Sequence, residues 1–219
     1  MITNLKLGST STATALTPTD TNITNVWTLP QVNAGGAPSI GEIYDSPIVD
    51  ALVDTPGQYS LQTDITANDF YGYYYNWCAA TAGGTASGGV NTCTNASTMP
   101  VGDATGDVCP AKWRLPSGTT TGDYAILNAS MIAGVPSAPS TTNQPSNWNW
   151  SGKFSGILAG SRNANTFDSM GVATLLSTSS RATADARSNT NQYITASWVS
   201  SGDGYNYRSD RNPLRCVAR

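Results

Sequence analysis

Thirteen aspartates, one glutamate (Glu42), four cysteines and no histidine are the residues of this chain from which reactive chemistry could be built. Without histidine neither a Ser–His–Asp nor a Cys–His arrangement can be assembled. The imidazole ligands usual in zinc sites are missing too, and Cys78, Cys93, Cys109 and Cys216 include no Cys-x-x-Cys pair. Paired carboxylates could serve glycoside hydrolysis, but no acid here stands in a recognisable motif for it. Neither Gly-x-Gly-x-x-Gly nor Gly-x-x-x-x-Gly-Lys-Ser/Thr occurs, so no phosphate cradle is legible. Asp103 and Asp107 could offer oxygens to calcium, yet their spacing is not that of an EF-hand loop. The four cysteines read as two disulfides, with three pairings open. The expectation is a protein that is not an enzyme and uses no cofactor and no metal.

What remains is a vocabulary of recognition. Ser161 to Asn212 contains Phe167, Tyr193, Trp198, Tyr205 and Tyr207, five arginines and four aspartates among many Asn and Ser. Tyr, Trp and Arg anchor binding hot spots, while Ser, Gly and Asn adapt their hydrogen bonding. The same composition also suits the polar, solvated half of a β domain. Seven of the eight arginines follow Gly160, which leaves the C-terminal part at +3 and the rest at −6. A field this weak does not predict a nucleic-acid partner.

The elements that position these residues are short. Cys109 to Pro116 is an extended run bracketed by Cys-Pro and Leu-Pro, because proline biases its predecessor to β or PPII. A helix is predicted from Asp123 to Met131, where Tyr124, Leu127 and Met131 recur at helical spacing, with Gly134 and Pro136 to close it. Asn25 to Pro30 reads as a short strand and Asp69 to Trp77 as an aromatic strand-like run with a core face. Ile48 to Val53 is apolar but unassignable by period. Ala34 to Pro38 and Ser137 to Ser146 read as connectors. Ala82 to Val108 is a long Gly/Ser/Thr/Asn insertion held by Cys93. Trp148 to Gly160 reads as glycine-punctuated strands.

Only 11% of the 219 residues are charged, but 39% hydrophobic content and six Trp argue against disorder. Such low-charge, Thr/Ser/Asn-rich chains are typical of secreted β-rich proteins, and no apolar run approaches 18 residues. Met1 to Ser11 lacks the basic and apolar regions of a signal peptide, so an exported form is expected to carry its signal or anchor outside these residues.

Tyr73-Tyr74-Tyr75-Asn76-Trp77-Cys78-Ala79-Ala80-Thr81-Ala82-Gly83, Cys109 to Pro116 and Arg215-Cys216-Val217 carry a resemblance. In that order they resemble the Fibrobacter succinogenes major paralogous domain, a family of extracellular bacterial domains related to the C-type lectin fold. The likeness runs with gaps from about Asn4 to Arg219. Asn4-Leu5-Lys6 resembles the family's Trp-Met-x-x-Asn-Leu segment without its Trp, which reads either as a start beyond a first strand or as a departure from the pattern. Leu175-Leu176-Ser177-Thr178 stands where the family has Trp-Ser-Ser.

The resemblance implies an α+β, C-type-lectin-like domain of short antiparallel strands, long loops and one or two helices, stapled by disulfides. It implies a single domain over 1–219: an N-terminal strand and loop part (1–68), a scaffold (69–160) with the insertion 82–108, and a variable part with the last strand (161–219). The favoured pairing is Cys78–Cys93 with Cys109–Cys216, the second being similar to the lectin-fold bridge to the last strand. Formylglycine-generating enzymes share the fold and use a cysteine pair with copper, but all four cysteines here are accounted for as disulfides. Calcium-dependent sugar binding is not implied, since Asn212-Pro213 lacks the flanking residues of the lectin motif.

In relatives that resemble targets of diversity-generating retroelements, the ligand face is built from this C-terminal region. The implied ligand-binding residues are Arg162, Asn163, Asn165, Phe167, Asp168, Arg181, Asp185, Arg187, Asn189, Asn191, Tyr205, Tyr207, Arg208 and Asp210. Asn163, Asn165, Asn189, Asn191, Tyr205, Asn206 and Tyr207 also suit adenine-directed mutagenesis of Asn and Tyr codons. The expected partner is a protein or glycan on another cell or surface, with no nucleic acid and no direct membrane insertion, and the expected location is extracellular or at the cell surface. The alternative is a structural module of a bacterial surface fibre or pilus.

Overall fold

The computed structural model describes residues 4–5, 7, 14–19, 21–23, 27–29, 43–44, 72–82, 103–134, 138–140, 142–149, 152–156, 158–163, 166–169, 171–182, 188–208 and 210–219. Four short strands come first: β1 (Thr14–Leu16), β2 (Thr21–Asn22), β3 (Trp27–Leu29) and β4 (Ile43–Tyr44). Strand β5 (Tyr74–Tyr75), helix α1 (Trp77–Ala80), β6 (Asp107–Pro110), β7 (Trp113–Arg114), α2 (Asp123–Ala133) and α3 (Pro145–Trp148) form the middle. The C-terminal part is β8 (Ser161–Asn163), β9 (Thr166–Asp168), β10 (Ala173–Arg181), β11 (Ser188–Thr195), β12 (Val199–Tyr207) and β13 (Val217–Ala218). The strand pairs are antiparallel and the helices few. The architecture is thus a mixed α/β one with mostly antiparallel strands.

Three consecutive tyrosines divide the interior. Side chains alternate along an extended chain, so Tyr73 and Tyr75 join one cluster with Leu5, Val108, Leu115 and Leu214. Tyr74 points the other way, into a cluster with Tyr124, Met131, Trp148, Leu176, Ile194 and Val199. Buried hydroxyls need partners. Tyr74 donates to the Ala159 carbonyl at 2.6 Å, and Tyr75 accepts from the Leu7 N–H at 2.8 Å. The expected core role of this run holds for Tyr73 to Trp77. The strand itself is shorter than expected, because Asn76 caps α1 by accepting the Ala79 N–H at 2.9 Å and turns the chain into a helix at Trp77. Asp69 to Tyr71 and Ile48 to Val53 lie outside the described residues, as does most of the insertion that begins at Ala82.

Helix α2 begins and ends as its sequence predicts. Asp123 stands at its first turn, where a carboxylate complements the exposed N–H groups. Gly134 closes it in the left-handed conformation at φ 74°, its N–H bonded to the Ser130 carbonyl at 2.8 Å. Gly72 is required for a second reason besides its φ of 67°: a Cβ there would lie 2.5 Å from the Leu5 carbonyl oxygen. That close approach lets residues 4–5 lie between Tyr73 and Leu214, to which Leu5 is bonded on either side.

Trp148 to Gly160 departs from the expected strands. Pro145 starts a helical turn that ends at Trp148, and the following residues fold back as turns, with the N–H of Gly156 on the Trp148 carbonyl at 2.9 Å. Trp113 is half-buried against the Tyr75 cluster, on a strand that pairs with β13 near the end of the chain.

Cys109 and Cys216 form the expected disulfide, joining β6 to the residue before β13. Cys78 is also disulfide-bonded, and Cys93, its expected partner, lies outside the described residues. The Cys109–Cys216 link closes 107 residues. On the loop-entropy argument a closure of that length stabilises by about 4.7 kcal/mol.

The order β10-β11-β12 makes the one sheet of three strands among the described residues. One face carries Thr174, Leu176, Ile194 and Val199 toward α2 and α3. The outer edge of β10 is covered rather than open. Its backbone groups bond to Gly160, to the Trp77 indole, to Pro213, to Pro116 and to Ala104. An exposed edge would template pairing with another chain. Here loops from four parts of the sequence occupy it.

Candidate functional site

The C-terminal sheet sorts the expected ligand residues into groups that composition does not distinguish. Asp168 is exposed at the end of β9, in a hairpin that pairs Arg162 with Phe167 and Asn163 with Thr166. The side chains of Arg162, Asn163, Phe167 and Tyr205, and all of Asn165, Asp185 and Arg187, lie outside the described residues. Tyr207 is 43% exposed at the end of β12. Arg181 is half-buried at the end of β10, its backbone N–H held by the Asp103 carboxylate at 3.2 Å.

Four expected surface residues are buried: Asn189, Asn191, Arg208 and Asp210. The two asparagines sit on β11, the central strand, where neighbours on both sides close over them. Asn189 turns inward and donates to the Thr190 carbonyl at 3.1 Å. Arg208 lies over the Trp77 ring, its guanidinium carbon 5.0 Å from the centroid. Its carbonyl accepts the Trp77 N–H at 3.1 Å. Burial pulls the Arg208 guanidinium down to about 10. Burial likewise pushes the Asp210 carboxyl up to about 6, against a backbone hydrogen bond from Tyr207 and the charge of Arg211. These four hold up the sheet's surroundings and do not form an open face.

The candidates that are not buried also divide by position. Ala173, next to the β8–β9 hairpin through the Gly160–Ala173 hydrogen bond, begins β10, and Arg181 ends it. At about 3.3 Å per residue those ends lie roughly 25 Å apart. Arg181 is cross-strand to Asn189, and Tyr207 to Ser188, at the far end. Asp168 belongs to the near end.

At the near end the structure brings together two residues that were not among the expected binders, Tyr193 and Trp198. Trp198 is 43% exposed at the β11–β12 turn, with its ring edge-to-face against Tyr193 at 5.2 Å between centroids. The turn is held tightly. Thr195 Oγ1 accepts the N–H groups of Ser197 and Trp198 and donates to the Trp198 carbonyl. The Thr195 N–H also bonds to that carbonyl at 2.7 Å. Asn143 braces the turn from outside, accepting the Val199 N–H at 2.8 Å and donating to the Ser197 carbonyl at 3.3 Å.

Asn143 is itself placed by α2. The buried Asn128 amide donates to the carbonyls of Ser140 and Thr142 at 2.9 Å each and accepts the Trp148 indole N–H at 2.6 Å. A sequence signal for this end existed. Trp198 is the one aromatic in the short polar turn after Tyr193-Ile194-Thr195, and a tryptophan in a turn has no strand face to fill.

Among the described residues no three acidic or cysteine side chains gather as a metal site. Asp107, weighed above as a calcium ligand, is buried and accepts from the Asn22 amide at 2.7 Å and the Cys109 N–H at 2.9 Å. Burial raises its carboxyl above the ordinary range, against the hydrogen bonds of Asn22, Leu115 and Cys109 and the charge of Arg219. Among the described residues no helix is long and apolar enough to cross a membrane. Compared with family models, with curated proteins and with solved structures, the chain matches none.

Proposed function

We propose that this chain is an extracellular recognition domain of C-type-lectin-like fold, non-enzymatic, which binds a protein or glycan through its C-terminal third. The observation that carries the reading is the exposed aromatic Trp198 on a turn held by side-chain hydrogen bonds from Thr195 and Asn143. Solvent-facing aromatics on a rigid base bind with little loss of side-chain entropy. The disulfide between Cys109 and Cys216 is compatible with an oxidising, extracellular setting.

Diversification of the 3′ coding end by a retroelement belongs to the same proposal. It fits exposed Tyr207 better than buried Asn189 and Asn191, where most replacements would disturb the central strand. A near-repeat of the 3′ coding end beside the gene, differing only at adenines, supports it, and its absence removes that part.

Recognition itself is tested by binding the immobilised domain to arrays of glycans and bacterial surface proteins. Loss of a captured ligand in Trp198→Ala or Tyr207→Ala, with an unchanged melting temperature, supports the reading. Growth into larger species with concentration, and no captured ligand, would favour the fibre-module alternative.

A further inference from the structure

Three features of the near end of the sheet distinguish the Trp198 turn from a generic exposed aromatic. First, Tyr193, Leu175 and Ser200 are directly cross-strand to one another and so share a face. The edge-to-face contact puts the Trp198 ring beside Tyr193 on that face. Second, the segments that form the turn and its brace are uncharged, although the exposed Asp168 belongs to the same end of the sheet. Neither 137–152, which contains Asn143, nor 169–180 nor 188–202 contains a single Asp, Glu, Lys or Arg. The exposed polar groups here are the neutral ones of Thr142, Asn143 and Ser197. Third, the exposed Asn143 braces the turn from outside through the Val199 N–H and the Ser197 carbonyl.

A pyranose ring has one face of C–H groups that packs on an aromatic ring, and a rim of hydroxyls that seek neutral donors and acceptors. Aromatic side chains supply the first, and hydroxyl and amide groups the second. Protein hot spots, by contrast, commonly add Arg or desolvated charge pairs to their aromatics. A neutral, hydroxyl-rich patch around one braced indole matches a neutral sugar in both respects.

We infer that Trp198 and Tyr193 form a stacking subsite for a neutral hexose chain, with Asn143 as the positioning residue that holds the turn. The inference rests on the recognition reading above and narrows its ligand class.

The test is isothermal titration of the whole chain with cellohexaose, mannohexaose and chitohexaose, alongside tryptophan fluorescence. At least one should bind, and Trp198→Ala should weaken it tenfold or more, while Trp198→Tyr retains part of the affinity. Asn143→Ala should weaken binding severalfold with the stacking rings still present, and Val172→Ser, on the exposed residue before β10, should change nothing. The melting temperature of each variant separates lost binding from lost folding.

No binding by any of the three hexasaccharides overturns the subsite, as does binding that Trp198→Ala leaves intact. A protein ligand captured through Tyr207 and indifferent to Trp198 would also overturn it, while leaving the recognition reading in place. If no surface ligand of any kind is captured, the recognition reading falls as well.

Discussion

The guanidinium of Arg215 donates from Nε to the side-chain oxygen of Asn4 across 2.9 Å, joining residues 211 positions apart. Its other two nitrogens donate to the carbonyls of Phe154 and Ser155 at 2.7 and 2.9 Å, and its guanidinium carbon lies 4.4 Å from the centre of the Phe154 ring. Burial lowers its pKa to about 10, against a favourable interaction with Tyr124. A buried charge without a carboxylate is tolerated here because each of the three guanidinium nitrogens donates to an oxygen.

Arg215→Ala should therefore cost about 3–5 kcal/mol, since it empties the place of a buried guanidinium and strands two part-buried carbonyls and the buried Asn4 amide oxygen. Arg215→Lys should recover little, because a single ammonium cannot reproduce a planar fork. Urea midpoints of the two variants check this. An Arg215→Lys protein as stable as the parent would contradict it.

Asp210 predicts a pH dependence. Its folded carboxyl is raised to about 6 from an ordinary 3.8, so the folded state keeps a proton that the unfolded chain has lost between those values. The stabilisation is full below about pH 3.8 and is lost as pH rises through about 6. The difference in stability between the parent and Asp210→Asn should move in the parent's favour as pH falls from about 7 to about 4. A difference that stays flat across that window counts against it.

Asp123 acts in the opposite sense. Burial alone would raise its carboxyl, but the bidentate Arg114 pair and the hydrogen bonds of Ser117 hold it below 3.8. Its stabilisation is present above the ordinary value and is lost as pH falls through the lowered one. Asp123→Asn should cost about 1–2 kcal/mol near pH 7, because the Ser117 N–H loses a charged acceptor while the Arg114 pair is partly solvated. The deficit should vanish in strong acid, which denaturation at both pH values would show.

Asn128→Ala should destabilise by about 2–4 kcal/mol, since it leaves the Trp148 indole N–H and two carbonyls unpaired at once. The same change should loosen the Trp198 turn, because the 140–142 segment that leads to Asn143 loses its tether. Faster hydrogen exchange at Val199 in the variant would show the coupling. Unaltered exchange there would separate the two sites.

Surface tolerance should follow exposure rather than residue type. Tyr207→Ala should change stability by less than about 0.5 kcal/mol, the usual range at open surface sites. Asn189→Ala and Arg208→Ala should each lower the melting temperature measurably. Trp113→Ala should cost less than the 3–5 kcal/mol typical of an enclosed aromatic, about 1–2 kcal/mol for a half-buried ring. Thermal melts of the four variants decide the order.

Local rules were enough where the cause is local. Tyr124, Leu127 and Met131 together with Gly134 mark α2, because helical spacing and a left-handed cap depend on near neighbours alone. The absence of histidine removes whole reaction classes without any coordinates. The Cys109–Cys216 bond was implied by resemblance, not by spacing, and the tertiary structure joins it.

Exposure was decided only by the fold. Asn189 and Asn191 read as surface residues by type, yet lie on the central strand of β10-β11-β12, where cross-strand neighbours shut out water. Arg208 and Asp210 follow β12 into a segment that runs against Tyr75 and Trp77, so residues more than a hundred positions away set their burial. Trp198 is left in solvent because Asn143 and Thr195 hold its turn away from the core. Residue type sets what a side chain can do, whereas long-range pairing determines whether solvent or a ligand can reach it.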